Sequence, residues 1–301
     1  MEIATQPKVT LVIGSGSVKC AASIGVAKVL SDAGIGIDRV VGCSAGAIFA
    51  ALISMGLDSQ AAQDAVTRVW TDRLTAGKNR RALLSVIAPR LFGFDFTRFG
   101  LRSDAPLIDV LESYFGDRKI EDMPTPLHIT ATDFGNGDLV DLSRGSIARA
   151  IRASVSIPFA FPPVEIDGRQ LVDGYLADPL PVSVAIKHGA QVIVAVGFES
   201  PYQEQIKSAG RFAFQLSAIM SNNLLKARFA FHSIAHHAEM IAIIPEFKQR
   251  IRLFDTAKVP YIVAEGERAA MEQIGYLREL LARQAPPSAA GGSSASADAA
   301  A

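Results

Sequence analysis

The chain has 301 residues, with 30 basic and 30 acidic side chains and no formal net charge. Hydrophobic residues make up 49% and charged residues 20%, which excludes a wholly disordered protein. The charge balance argues against a nucleic-acid binder, which carries a basic surplus. Two cysteines, Cys20 and Cys43, cannot build a disulfide framework or a four-thiolate metal site.

The apolar run Val9–Ile13 is too short for a signal-peptide core. Val40 to Leu57 is uncharged and reaches the length of a membrane span, but Gly42, Ser44, Gly46, Ser54 and Gly56 break it into a buried strand, a turn and a helix. A cytoplasmic protein is the expectation.

In chain order, Val9–Ile13 reads as a strand, followed by glycine-rich sequence and a helix over 21–33 that Gly34 ends. Residues 38–41 read as a second strand and 45–55 as a second helix. This β-α-β-α opening is the signature of a parallel sheet covered by helices. Residues 58–102 are helical and irregular, rich in arginine, with Phe92, Phe94, Phe96 and Phe99 around Gly93 and Gly100. Leu107, Val110, Leu111 and Tyr114 then fall at helix spacing. Strands follow at 127–133 and 139–142 around a Gly135–Asp138 turn, then a helix over 147–154 and a buried strand over 191–196. A long helical region from about 203 to 235 leads to a strand at 240–244 and a last helix from about 264 to 283. The Ala, Pro, Ser and Gly of 285–301 predict a disordered tail, leaving 1–284 as the folded domain.

Gly42-Cys43-Ser44-Ala45-Gly46 lies between an apolar strand and an apolar helix, where Gly-x-Ser-x-Gly becomes a nucleophile elbow. Cys43 reads as a buried filler, able to compete as a nucleophile only if exposed with a depressed pKa. The position of Ser44 disfavours the usual Ser-His-Asp hydrolase. Its nucleophile follows several strands, and four strands with crossovers cannot fit into forty residues.

Gly14-Ser15-Gly16-Ser17-Val18-Lys19-Cys20 follows the first strand and offers successive amides to an anion. A dinucleotide loop would need a third glycine and an acid ending the second strand; the chain has Cys20 and Val41-Gly42 there. The alternative is an oxyanion hole serving Ser44, with Gly16 and Ser17 as donors, each worth about 2.7–4 kcal/mol of transition-state stabilisation. Lys19 either steadies this loop or attracts anionic head groups, or it is simply solvated. The five histidines, His128, His188, His232, His236 and His237, carry no motif, and no cluster has metal-ligand spacing, so no metal or cofactor is expected. Asp173-Gly174 instead closes Gly168-Arg169-Gln170-Leu171-Val172 at a strand end.

The elbow at Ser44, the loop at Gly14, and Ser156-Ile157-Pro158-Phe159-Ala160-Phe161-Pro162-Pro163-Val164 leading to Leu171-Val172-Asp173-Gly174 together resemble the patatin-like phospholipases. The match runs over about residues 9 to 200 with three motifs in family order. The resemblance implies Ser44 as nucleophile, Asp173 as base, the loop as oxyanion hole, and a three-layer α/β/α fold with a mostly parallel sheet. It also implies a phospholipid or other acyl ester as substrate. Lys19 stands where the family usually has Arg, Cys20 where it usually has Gly, and Tyr175 where a small residue usually follows Asp-Gly. Tyr175 would narrow the site mouth, contact lipid, or pack. A catalytically impaired lipid- or partner-binding module is the competing reading. Leu91–Phe99 would cap an acyl pocket, touch a membrane as a peripheral contact, or fill the core, and core filling is preferred because aromatic side chains commonly do so.

Overall fold

The computed structural model describes residues 8–284 apart from 76, 78, 88, 200, 201, 203, 204, 208 and 236–238; the 285–301 tail lies outside the described residues. The strands are β1 (Lys8–Ile13), β2 (Gly36–Cys43), β3 (Leu127–Asp133), β4 (Leu139–Leu142), β5 (Val164–Ile166), β6 (Arg169–Asp173), β7 (Val192–Val196) and β8 (Glu239–Ile243). The helices are α1 (Ala22–Asp32), α2 (Ala45–Ser54), α3 (Ser59–Val69), α4 (Arg80–Ile87), α5 (Pro89–Phe92), α6 (Ala105–Phe115), α7 (Ile147–Ser154), α8 (Val182–Lys187), α9 (Ala209–Ala235) and α10 (Val259–Gln284).

The strands form one sheet in the order β5-β6-β3-β2-β1-β7-β8, with β4 also on β3. Strands β1, β2, β3, β7 and β8 pair in parallel, and β4, β5 and β6 join antiparallel. The fold is therefore α/β with a mixed, mostly parallel sheet. Period-two alternation sorts each central strand between two cores. Leu11 and Ile13 of β1, with Val192, Val194 and Val196 of β7, face the larger core, which α1, α2, α3, α6, α7 and α10 cover. Val12, Ile193 and Ala195 face a smaller one, closed by Leu180, α8 and Leu225 of α9. Both faces of the parallel strands are covered, which explains their near-continuous apolar runs.

Two helix starts differ most from those the pattern predicts. Helix α10 begins at Val259, because Pro260 is tolerated in a first helical turn whose amides have no intrahelical acceptor. Helix α9 begins at Ala209, and residues 205–207 stay outside it. Strand β5 is additional: Asp167 (φ 51) and Gly168 (φ 73) make a two-residue hairpin turn into β6. An Asp-Gly pair between apolar runs was the sequence signal for it.

Helix α10 packs against α1 at very close range. A Cβ on Gly266 would fall 2.0 Å from the Ala22 carbonyl oxygen, and one on Gly25 would fall 2.1 Å from that of Val263. Among the described residues, no helix is long and apolar enough to cross a membrane.

Candidate active site

The loops after β1, β2 and β7 leave the sheet side by side, since Ile13 pairs with both Gly42 and Val196. This places the Gly14 loop beside the elbow. Ser44, between β2 and α2, has φ 54 and ψ −128, a left-handed-region conformation that L residues adopt only under strain. The turn is tight because α2 touches β1: a Cβ on Gly46 would lie 2.5 Å from Gly14 O and 2.6 Å from Ile13 O. The Ser44 amide donates to Ser154 Oγ at 2.8 Å, and that hydroxyl donates to Thr130 O at 2.6 Å. Ser154, at the end of α7, thus steadies the elbow; no motif in the sequence singled it out.

Register brings the acid to the serine. Residues 129 and 130 of β3 pair with β2 on one edge and β4 on the other, whereas 131 and 132 pair with β4 and β6. Strand β6 therefore occupies the edge of β3 that β2 vacates when it turns at Cys43. Cys43 lies opposite Thr130 and Asp173 opposite the next residue, Ala131, so the two strand ends meet head-on. Ser44 Oγ donates to Asp173 Oδ2 at 2.7 Å. The other carboxylate oxygen accepts from the Tyr175 amide at 3.1 Å, and the Asp173 amide donates to Ser156 O at 3.0 Å.

Asp173 is fully buried, and burial pushes its carboxyl up to about 7 against the hydrogen bonds from Tyr175 and Ser44, which oppose the rise. Arg152 anchors the segment before the hairpin. It forms an ion pair with Asp104 at 2.7 Å, donates to Ser156 Oγ, donates to Pro162 O at 3.1 Å, and lies over the Phe161 ring.

In the glycine-rich loop, the Gly14 amide donates to Val196 O and the Ser15 amide to Pro179 O, both at 2.9 Å. These two amides hold the loop to the sheet and are spent; of the six residues Gly14 to Lys19 expected to form an oxyanion hole, Gly14 and Ser15 serve as anchors. Gly16 precedes the 3-10 turn Ser17–Ala21 and Ser17 opens it, so neither amide has an acceptor within that turn; Ser17 has φ 56 and Val18 is buried. The Cys20 thiol donates back to Gly14 O at 3.3 Å, and Lys19 Nζ donates to Glu199 O at 2.9 Å. Both departures from the resembled pattern thus tie the loop down. Cys43 is fully buried with its thiol on Asp178 O, and burial pushes its pKa up, so it lacks the exposure a nucleophile needs.

Tyr175 packs beside the site with its hydroxyl 2.6 Å from Ser217 Oγ of α9, joining the turn to that helix. The aromatic segment does not fill the core as preferred from sequence. Phe94 and Phe96 are exposed, Phe96 stacks on exposed Phe134, and Phe99 meets exposed Phe159 edge-on. Leu101 and Arg102 donate to Phe159 O and Ala160 O, which holds this collar next to the Ser156 segment that contacts Asp173. Phe212, Phe214, Leu216 and Met220 of α9, flanking Ser217, are exposed as well. The Phe92 side chain, His236 and His237 lie outside the described residues.

The chain is 32% identical over 192 residues to an uncharacterized NTE family protein of Mycobacterium tuberculosis, covering 64% of this chain and 49% of that one. It is 27% identical over 205 residues to patatin-like phospholipase domain-containing protein 7 of Mus musculus, covering 67% of this chain and 14% of that one. The chain thus spans about half the length, or less, of the curated relatives it matches. Among solved structures it is similar to VipD from Legionella pneumophila, with a TM-score of 0.48 and 16% identity over 92% of this chain and 67% of that one. The type III effector protein ExoU matches with a TM-score of 0.44 and 18% identity over 92% of this chain and 54% of that one. The family model for patatin-like phospholipases matches residues 11–186, more than half of the chain and a stretch that includes the elbow, the loop and the acid. The chain belongs to the patatin-like phospholipase family.

Proposed function

We propose that this protein is a serine lipid acyl hydrolase, of phospholipase A or carboxylesterase type, that works through a Ser44–Asp173 dyad without histidine. The observation that carries this reading is the 2.7 Å hydrogen bond from the hydroxyl on a strained elbow to a fully buried carboxylate. Family membership supports a lipid ester as substrate.

Asp173 takes the Ser44 hydroxyl proton as Oγ attacks the ester carbonyl, and the amides of Gly16 and Ser17 hold the oxyanion. Collapse of the tetrahedral intermediate expels the alcohol, which receives the proton from Asp173. Water then attacks the acyl-serine with Asp173 again as base; collapse returns that proton to Ser44 Oγ, and the fatty acid leaves. A carboxyl near 7 suits both directions of transfer better than an ordinary aspartate, because a general base works best near the operating pH.

Fluorophosphonate labelling tests the reading: the probe should modify the wild-type chain at Ser44 and leave Ser44→Ala unmodified. An unlabelled wild-type protein that still binds lipid would favour the impaired binding module instead.

The exposed Phe94, Phe96, Phe134 and Phe159 beside the Ser156 segment support contact with a lipid surface during substrate entry. Liposome sedimentation should show wild-type protein in the pellet and a clear loss for Phe94→Ser/Phe96→Ser/Phe134→Ser. Equal pelleting of both would remove the membrane contact while leaving the dyad untouched.

A further inference from the structure

Three polar side chains unused by the dyad meet on the sheet face opposite the larger core. His128 lies on β3 between Leu127 and Ile129, which point into that core, so its ring projects to the α8 side. Asp141 comes from β4, opposite Thr130, and His188 caps α8 with its amide on Val184 O at 3.1 Å. Arg39 Nη1 donates to His188 O at 3.0 Å and fixes that end of the helix. Their separation along the chain hid the grouping from the sequence, where none of the three sits in a motif.

His128 Nδ1 lies 2.8 Å from Asp141 Oδ1, and His188 Nε2 lies 2.8 Å from Asp141 Oδ2. The imidazole centroids are 4.2 Å apart, and one donor atom from each residue lies within 4.8 Å of the others. The side chains of His128, Asp141 and His188 are 7%, 13% and 31% exposed, so the cluster is shielded on one side and open to water at His188.

Neutral imidazole nitrogens and a carboxylate oxygen are donor atoms that zinc-class ions take. Ligand atoms bound at about 2.0–2.1 Å stand about 2.9 Å apart at right angles and about 3.4 Å apart in a tetrahedron. The observed 2.8 Å separations lie close to the right-angle value. Two nitrogens and a carboxylate suit zinc-class transition ions, whereas Mg²⁺ and Ca²⁺ prefer all-oxygen sets.

We propose that His128, Asp141 and His188 form a binding site for a zinc-class divalent transition metal, with water on the open side. The ion would clasp the β3–β4 pair to the end of α8. None of its ligands belongs to the Ser44–Asp173 pair, so the site stands whether or not the hydrolase reading does.

The test is calorimetric titration of the chelator-treated, dialysed full-length protein with Zn²⁺ slightly above neutral pH. Wild type should take up one equivalent at this site, Mg²⁺ should give no binding heat, and Asp141→Asn should weaken Zn²⁺ binding by at least about tenfold. His188→Ala, at the partly exposed edge where the fold tolerates change, should do the same. Zn²⁺ should also raise the Tm of wild type more than that of either variant. Co²⁺ in place of Zn²⁺ should give a visible absorption band in wild type that both variants lose. Absence of Zn²⁺ uptake by wild type, or full uptake by both variants with metal held by other histidines, overturns the site.

Discussion

Asp173→Asn is expected to lower ester turnover by about 10²–10⁴-fold, the span over which a positioned general base contributes. Asparagine keeps the shape and a hydrogen bond to Ser44 but cannot take its proton. Activity of the wild-type chain should rise with pH through about 7, as the buried carboxyl ionises, and the variant should lose that limb. Stability should move the other way. The folded-state value lies above the ordinary 3.8, so the native state holds a proton that the unfolded chain releases. The stabilisation from that proton is complete below about 4 and is lost as pH rises through about 7. Each unit is worth about 1.4 kcal/mol, so above neutral pH the wild type carries a buried charge that Asp173→Asn removes. The variant should therefore melt higher than wild type in alkaline buffer, with the difference shrinking toward pH 4. Near wild-type turnover in Asp173→Asn would remove the carboxylate from the mechanism.

Gly266→Ala is expected to lower stability by roughly 3 kcal/mol, the upper part of the overpacking range. In a folded chain this long that is a fall in Tm of about 5 °C. The added methyl would begin 2.0 Å from the Ala22 carbonyl oxygen, a backbone atom that no side-chain rotation can move aside. Helices α1 and α10 must separate, loosening the core to which Ile24, Val26, Ile262 and Val263 all contribute. Thermal unfolding followed by circular dichroism checks this, and an unchanged Tm would mean that the crossing is looser than it stands. Helix α10 lies beyond the part of the chain matched by the family model, so the substitution probes how the C-terminal part is joined to the matched part.

The sheet was legible because its strands are short apolar runs punctuated by glycine and proline, as at Val9–Ile13 and Gln191–Val196. The short strand β5 and helix α8 escaped because three and six residues carry too little periodicity. The aromatic segment was misjudged for a different reason. Phenylalanine marks apolar contact, and composition alone does not say whether that contact is a core or a surface collar.

Glycine spacing and chain position by themselves determined where a strained serine would sit, because only a strand, a sharp turn and a helix accommodate Gly42 through Gly46 in that order. They also marked Asp173 as an acid at a strand end. The tertiary structure alone decided that β6 takes over the edge of β3 that β2 leaves, which is why the two residues meet. It alone decided that the Gly14 and Ser15 amides anchor the loop, and that His128, Asp141 and His188 converge. Local sequence encodes backbone conformation through sterics and burial period, whereas contacts between distant segments arise from register and layer packing that no single segment contains.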